Sequence, residues 1–163
     1  MFRRTASRAL LAVVLSVSLA ACGESEDSTG AAAEISTDLS EKPEVPASDE
    51  PAPDELVIDD IVEGDGDEAV EGSTASVKYV GAFYESGEEF DSSWSGGPDE
   101  TIEVPLGGGR VIPGFEQGIE GMQVGGRRMI TIPSDLGYGD EDRGPIPGGS
   151  TLVFVMDLVE VTD

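Results

Sequence analysis

Val111-Ile112-Pro113-Gly114-Phe115-Glu116-Gln117-Gly118-Ile119-Glu120-Gly121-Met122 is the one stretch of this chain that reads as a helix. Phe115, Ile119 and Met122 recur at i, i+4 and i+7, which gives the segment one apolar face. Pro113 suits a first helical turn, where a missing N–H does no harm. Gly114, Gly118 and Gly121 each cost about 1 kcal/mol against alanine in a helix interior. So weak a helix must be held by something else, and the segments around it supply a sheet. Ser76 to Phe83 places Val77, Tyr79, Gly81 and Phe83 on one face, and Thr151 to Val161 does the same with Leu152, Phe154, Met156 and Leu158. Ile102, Val104 and Leu106 alternate likewise, as do Arg128, Ile130 and Ile132, while Glu85-Ser86-Gly87 and Gly125-Gly126 supply turns. One short helix across one face of a mainly antiparallel sheet is an α+β layer architecture. Residues 56–163 are the size of one small domain and show no repeat.

Outside this block the chain changes character. Arg3, Arg4 and Arg8 precede an apolar run from Ala9 through Ala21, the charged start and hydrophobic middle of a secretory signal, too short to span a bilayer comfortably. The run ends in Leu19-Ala20-Ala21-Cys22, which resembles the bacterial lipobox. That resemblance implies cleavage before Cys22, lipid on its sulfur, and a chain held outside the cell membrane. Residues 1–22 are therefore expected to be a lipoprotein signal ending at the lipidated cysteine. Residues 23–55 are rich in Ser, Ala, Pro, Glu and Asp with almost no large apolar side chain, a composition that predicts a disordered, extended tether.

Composition excludes several functions. The chain has 34 acids against 9 bases, a formal net charge of −25, which disfavours binding to nucleic acid or anionic lipid. Cys22 is the only cysteine and there is no histidine, so a disulfide, a thiol nucleophile, the usual general base and soft metal ligands are all missing. Neither the acids of residues 59–68 nor Asp140-Glu141-Asp142 have the spacing of a calcium-binding loop. Gly107-Gly108-Gly109-Arg110 lacks the Lys-Ser/Thr that would complete a phosphate cradle. No metal or cofactor is expected.

What residues 56–163 do carry is an ordered series: Tyr79, Phe90-Asp91-Ser92-Ser93, Val111-Ile112-Pro113-Gly114, Tyr138-Gly139, Ile146-Pro147 and Thr151-Leu152-Val153-Phe154. In this order and at nearly these spacings the series resembles the FK506-binding class of peptidyl-prolyl cis-trans isomerases over essentially all of residues 56–163. The resemblance implies a five- or six-stranded antiparallel sheet wrapped around one short helix, with an apolar pocket for a prolyl ring between them. Phe115 would be its floor, Tyr79, Phe90, Val111, Ile112 and Phe154 its walls, and Ile102 and Ile146 its rim. The Ile112 N–H and the Tyr138 hydroxyl would hold carbonyls of the bound chain, with Asp91 and Tyr79 beside the rotating one. Core packing alone accounts for any one of these apolar residues; their joint order carries the reading.

The chain departs from the family at Phe115, where tryptophan is usual, and at Gly96-Gly97, in a stretch that often carries an arginine paired with the aspartate. The activity implied is isomerisation of Xaa-Pro bonds in exported polypeptides. Its expected partners are those chains, FK506-like macrolides and, through Cys22, the membrane, with the protein itself a monomer. A proline-peptide-binding chaperone module with little turnover is the alternative that sequence leaves open.

Overall fold

The computed structural model describes residues 30–163; the signal segment and Cys22 lie outside the described residues. Six strands and one helix follow in the order β1 (Val57–Val62), β2 (Thr74–Phe83), β3 (Glu89–Ser92), β4 (Ile102–Pro105), α1 (Pro113–Ile119), β5 (Arg127–Ile132) and β6 (Leu152–Thr162). They form one antiparallel sheet in the order β1-β5-β6-β2-β3, with β4 also paired to β2. The α+β architecture expected from the sequence is the one found. β1 and β3 are additional to the strands read from periodicity. β1, with Ile58 exposed and two adjacent aspartates, has no clean alternation, and β3 is only four residues long.

One face of the sheet holds the main core, in which Val77, Ile130, Ile132, Leu152, Met156 and Leu158 pack with Phe115, Ile119 and Met122 from the helical segment. The glycines that weaken α1 are what let it dock. A Cβ on Gly114 would lie 2.5 Å from Cγ2 of Ile132, and one on Gly118 2.6 Å from Cδ1 of Ile130, so the helix backbone rests directly on β5. Contact with the sheet thus supplies the stability that the isolated segment lacks.

The opposite face is also covered, and this differs from the expectation of a disordered tether over residues 23–55. From residue 30 onward the chain lies across the sheet: Ala32 and Ile35 are buried with Tyr84, Met129, Val153 and Val155, and Val45 packs against them. Few apolar residues are needed, because polar groups do much of the fastening. Arg127, wholly buried, forms a two-pronged pair with its cross-strand partner Asp157 at 2.6 and 2.7 Å. Its remaining N–H groups donate to the carbonyls of Ser36, Asp38 and Glu41. Lys42 adds an exposed pair with Glu89 at 2.7 Å. Within this strap the Ser40 hydroxyl and N–H both donate to Asp38, holding its carboxyl below the usual carboxylate range.

Arg128, next on β5, points to the other face. It pairs with Asp60 at 2.6 Å and donates to the carbonyls of Gly118 and Glu120 at the end of α1. Alternation along a strand therefore sends two consecutive arginines to opposite sides, each satisfying carbonyls of the layer that covers that side.

Candidate functional site

A cleft of about 620 Å³ opens between α1, the sheet and the loops leading into and out of them. Tyr79 comes to it from the middle of β2, Phe90 and Asp91 from β3, Ile102 from the start of β4 and Phe154 from β6. Val111 and Ile112 enter just before α1, Phe115 from its first turn and Tyr138 from the loop after β5. Of the residues expected at the site, Ile146 alone is placed elsewhere. Its backbone pairs with Arg143 in an isolated bridge, and its side chain, 6% exposed, belongs to the main core.

The floor is aromatic. Phe115 and Phe154 meet edge-on with ring centroids 5.0 Å apart, Tyr79 meets Phe115 edge-on at 5.8 Å, and Phe90 meets Phe154 edge-on at 5.6 Å. Each such contact adds about 0.5–1.5 kcal/mol beyond buried area and fixes ring orientation. Gly81 makes the cluster possible: a Cβ there would lie 2.7 Å from Phe154 and 2.9 Å from Phe90.

The polar atoms are held by short local bonds. The Tyr79 hydroxyl donates to Oδ2 of Asp91 at 2.6 Å, and Oδ1 of Asp91 accepts the Ser92 N–H at 2.9 Å. Burial, followed by the adjacent Asp91 carboxylate, pushes the Tyr79 hydroxyl well above the ordinary tyrosine value, so it is a fixed donor at neutral pH. Ser92 and Ser93 pin the same region, the first donating to the Tyr79 carbonyl and the second accepting the Tyr79 N–H. The Asp-Ser-Ser run is thus a brace between β3 and β2. The carbonyl of Ile112 accepts from the N–H groups of Phe115 and Glu116, whereas its own N–H finds no partner among the described residues. Tyr138 stands at the rim, 37% exposed.

Sequence reasoning missed several lining residues: Gly109, Arg110, Pro113, Gly137 and Arg143. It also missed Glu116, whose carboxylate accepts the N–H groups of Gly107 and Gly109 at 2.6 and 3.1 Å and so ties that loop to α1. The left-handed backbone at both glycines, φ +80° and +59°, turns their N–H groups toward it. A Gly-rich run followed within ten residues by a helical Glu was the available signal. No cluster of metal-ligating side chains occurs among the described residues.

Comparison with known proteins adds an independent line. The family model for FKBP-type peptidyl-prolyl cis-trans isomerase matches residues 66–159. The chain is 50% identical over 119 residues to a probable FK506-binding protein of Corynebacterium glutamicum, covering 73% of this chain and 98% of that one. It is 50% identical over 123 residues to an FK506-binding protein of Streptomyces anulatus, covering 74% and 98%. Among solved structures, AtFKBP13 superposes with a TM-score of 0.60 at 35% identity, covering 67% of this chain and 94% of that one. FkpA from Escherichia coli does so at 0.59 and 34% identity over 66% of this chain, which spans about half (48%) of FkpA.

Proposed function

The chain belongs to the FKBP-type peptidyl-prolyl cis-trans isomerases, and on that premise we propose that its aromatic cleft seats the proline of exported polypeptides and twists the preceding amide during their folding. The observation that carries this is the joining of edge-on Tyr79, Phe115 and Phe154 beneath an opening whose wall presents the unpartnered Ile112 N–H. The barrier to be lowered is amide resonance, about 18–20 kcal/mol. A twisted amide is less charge-separated than a planar one, so exchanging water for ring edges favours it over the ground state. A thousandfold acceleration needs only about 4 kcal/mol of that preference.

No proton has to move. Asp91 accepts from Tyr79 and from Ser92, so it serves as an acceptor that fixes the Tyr79 ring rather than as a base. The Ile112 N–H and Tyr138 hydroxyl are the donors that hold the flanking carbonyls. FK506-like macrolides compete for the same cleft. The lipobox supports export and anchoring through lipid on Cys22, which brings the cleft to chains that emerge across the membrane and stall for tens of seconds at prolines.

The test is refolding of a proline-limited substrate by the mature chain, with and without FK506. Acceleration that the drug abolishes supports the reading. Tight peptide binding without acceleration would make the cleft a binding module instead. For the anchor, Cys22→Ser should leave the protein in the soluble fraction; retention on membranes after a high-salt wash would refute lipid attachment.

A further inference from the structure

Six bases follow Cys22, and four of them are engaged by neighbours. Arg127 pairs with Asp157, Arg128 with Asp60 and Lys42 with Glu89, while Lys78 lies 4.9 Å from the centre of the Trp94 ring. The remaining two, Arg110 and Arg143, form no ion pair among the described residues, and both line the aromatic cleft. In a chain of net charge −25, two unpaired cations converging on one cavity are conspicuous. Against them the lining sets one carboxylate, Asp91, already occupied by Tyr79 and Ser92. Each of four other concavities on the molecule has more acids than bases in its wall.

Both arginines stand on fastened backbone. The loop bearing Arg110 is tied to α1 through the bonds from Gly107 and Gly109 to Glu116. Arg143 exchanges two backbone hydrogen bonds with the core residue Ile146, at 2.8 and 3.0 Å. Its acidic neighbour Asp142 is engaged within the same loop, accepting the Gly148 N–H at 2.8 Å. Side chains so placed, with two guanidinium groups against a single carboxylate in the lining, give the cleft a positive wall inside a negative molecule.

We infer that Arg110 and Arg143 are specificity-determining residues that favour substrates with a carboxylate at the residue before or after the proline. This rests on the isomerase reading for its turnover arm. Guanidinium groups pair with carboxylates through two parallel hydrogen bonds, and the apolar floor leaves the rim to read the flanking side chains. Because the rest of the surface repels acidic chains, the selection also separates productive approach at the cleft from unproductive contact elsewhere.

The test uses the mature chain and matched peptides, Ala-Glu-Pro-Phe against Ala-Gln-Pro-Phe and Ala-Leu-Pro-Glu against Ala-Leu-Pro-Gln. Exchange is read by NMR, which avoids a coupling protease with preferences of its own. Exposed ion pairs contribute about two- to fivefold each, so at low salt at least one Glu peptide should exceed its Gln partner about three- to tenfold in kcat/KM. The ratio should collapse toward unity in about 0.5 M salt, where screening lengths fall to a few ångströms. It should vanish in the Arg110→Gln/Arg143→Gln double variant and survive in Arg110→Lys/Arg143→Lys, a rescue that loss of fold would not show. Ratios within twofold for both pairs in the unaltered chain, or a preference that persists in the double Gln variant, would overturn the inference. If neither peptide is isomerised, the isomerase reading fails. Titration of the same peptides by chemical shift then decides selection alone, with tighter binding of the Glu peptide supporting it. Equal affinity, or no binding at all, would overturn it.

Discussion

Phe115 is 4% exposed and edge-on to both Tyr79 and Phe154, so its ring is a wall of the core on one side and the floor of the cleft on the other. An indole here offers a ligand about 30–40 Å² more apolar surface, worth about 1 kcal/mol or fivefold in affinity. Phe115→Trp should therefore tighten FK506 binding in calorimetric titration, provided unfolding measured alongside shows that overpacking, about 1–3 kcal/mol in a full core, has not loosened the fold. Tyr79 supports a prediction about pH. Its hydroxyl ionises near 10 in the unfolded chain and only well above that when folded, so the folded state holds the extra proton in that window. This contribution to stability is fully present below pH 10 and is lost as pH rises beyond it. Tyr79→Phe should flatten that part of the decline in melting temperature relative to the unaltered chain; an identical slope would place the Tyr79 hydroxyl in water. At this scale the aromatic and polar residues of the site were legible because they recur as a series in fixed order. Arg110 and Arg143 were not, since nothing local in a sequence distinguishes a cation that faces a cleft from one that finds an acid elsewhere.

Elements were legible where apolar residues alternate along a strand of some length, and obscure in β1, which has no clean alternation, and in β3, which has only four residues. β2 and β6 showed their alternation, yet Val80, Val153 and Val155 on the supposed outer face are as buried as their neighbours. All six residues of β5 are buried. Apolar residues on both faces of a strand signal two covering layers, of which one is the helix and the other the strap. For α1 the glycines read as a weakness turn out to be the condition of its docking. Gly118→Ala should gain about 1 kcal/mol of helix propensity and lose about 1–3 to overpacking against Ile130, which has no exposed surface into which to move. A net loss of up to about 2 kcal/mol in denaturant unfolding is expected. A net gain would mean that the helix floats above β5 rather than resting on it.

At the scale of the whole molecule, composition misled in one place: the strap has few apolar side chains, but Arg127 binds it through backbone carbonyls, which composition does not register. Removing one partner from a buried charge pair leaves the other unsatisfied and costs about 3–5 kcal/mol. Arg127→Met should therefore destabilise the fold by about that much and expose residues 30–50 to protease under conditions where the unaltered chain resists. Protection of that segment in the variant would show that apolar contacts alone hold it. A chain begun at Leu56 should likewise melt lower than one begun at Gly30, having uncovered Met129, Val153 and Val155. The strap also sets a geometry relative to the bilayer. With lipid on Cys22, as proposed, a free tether running to Leu56 would let the domain roam about 115 Å from its anchor, at 3.3–3.6 Å per extended residue. Docking at Ala32 shortens the leash to about 35 Å, comparable with the diameter of the domain itself. An enzyme anchored in that way would patrol only the layer of solvent next to the membrane and would meet a polypeptide while that chain is still close to its point of exit.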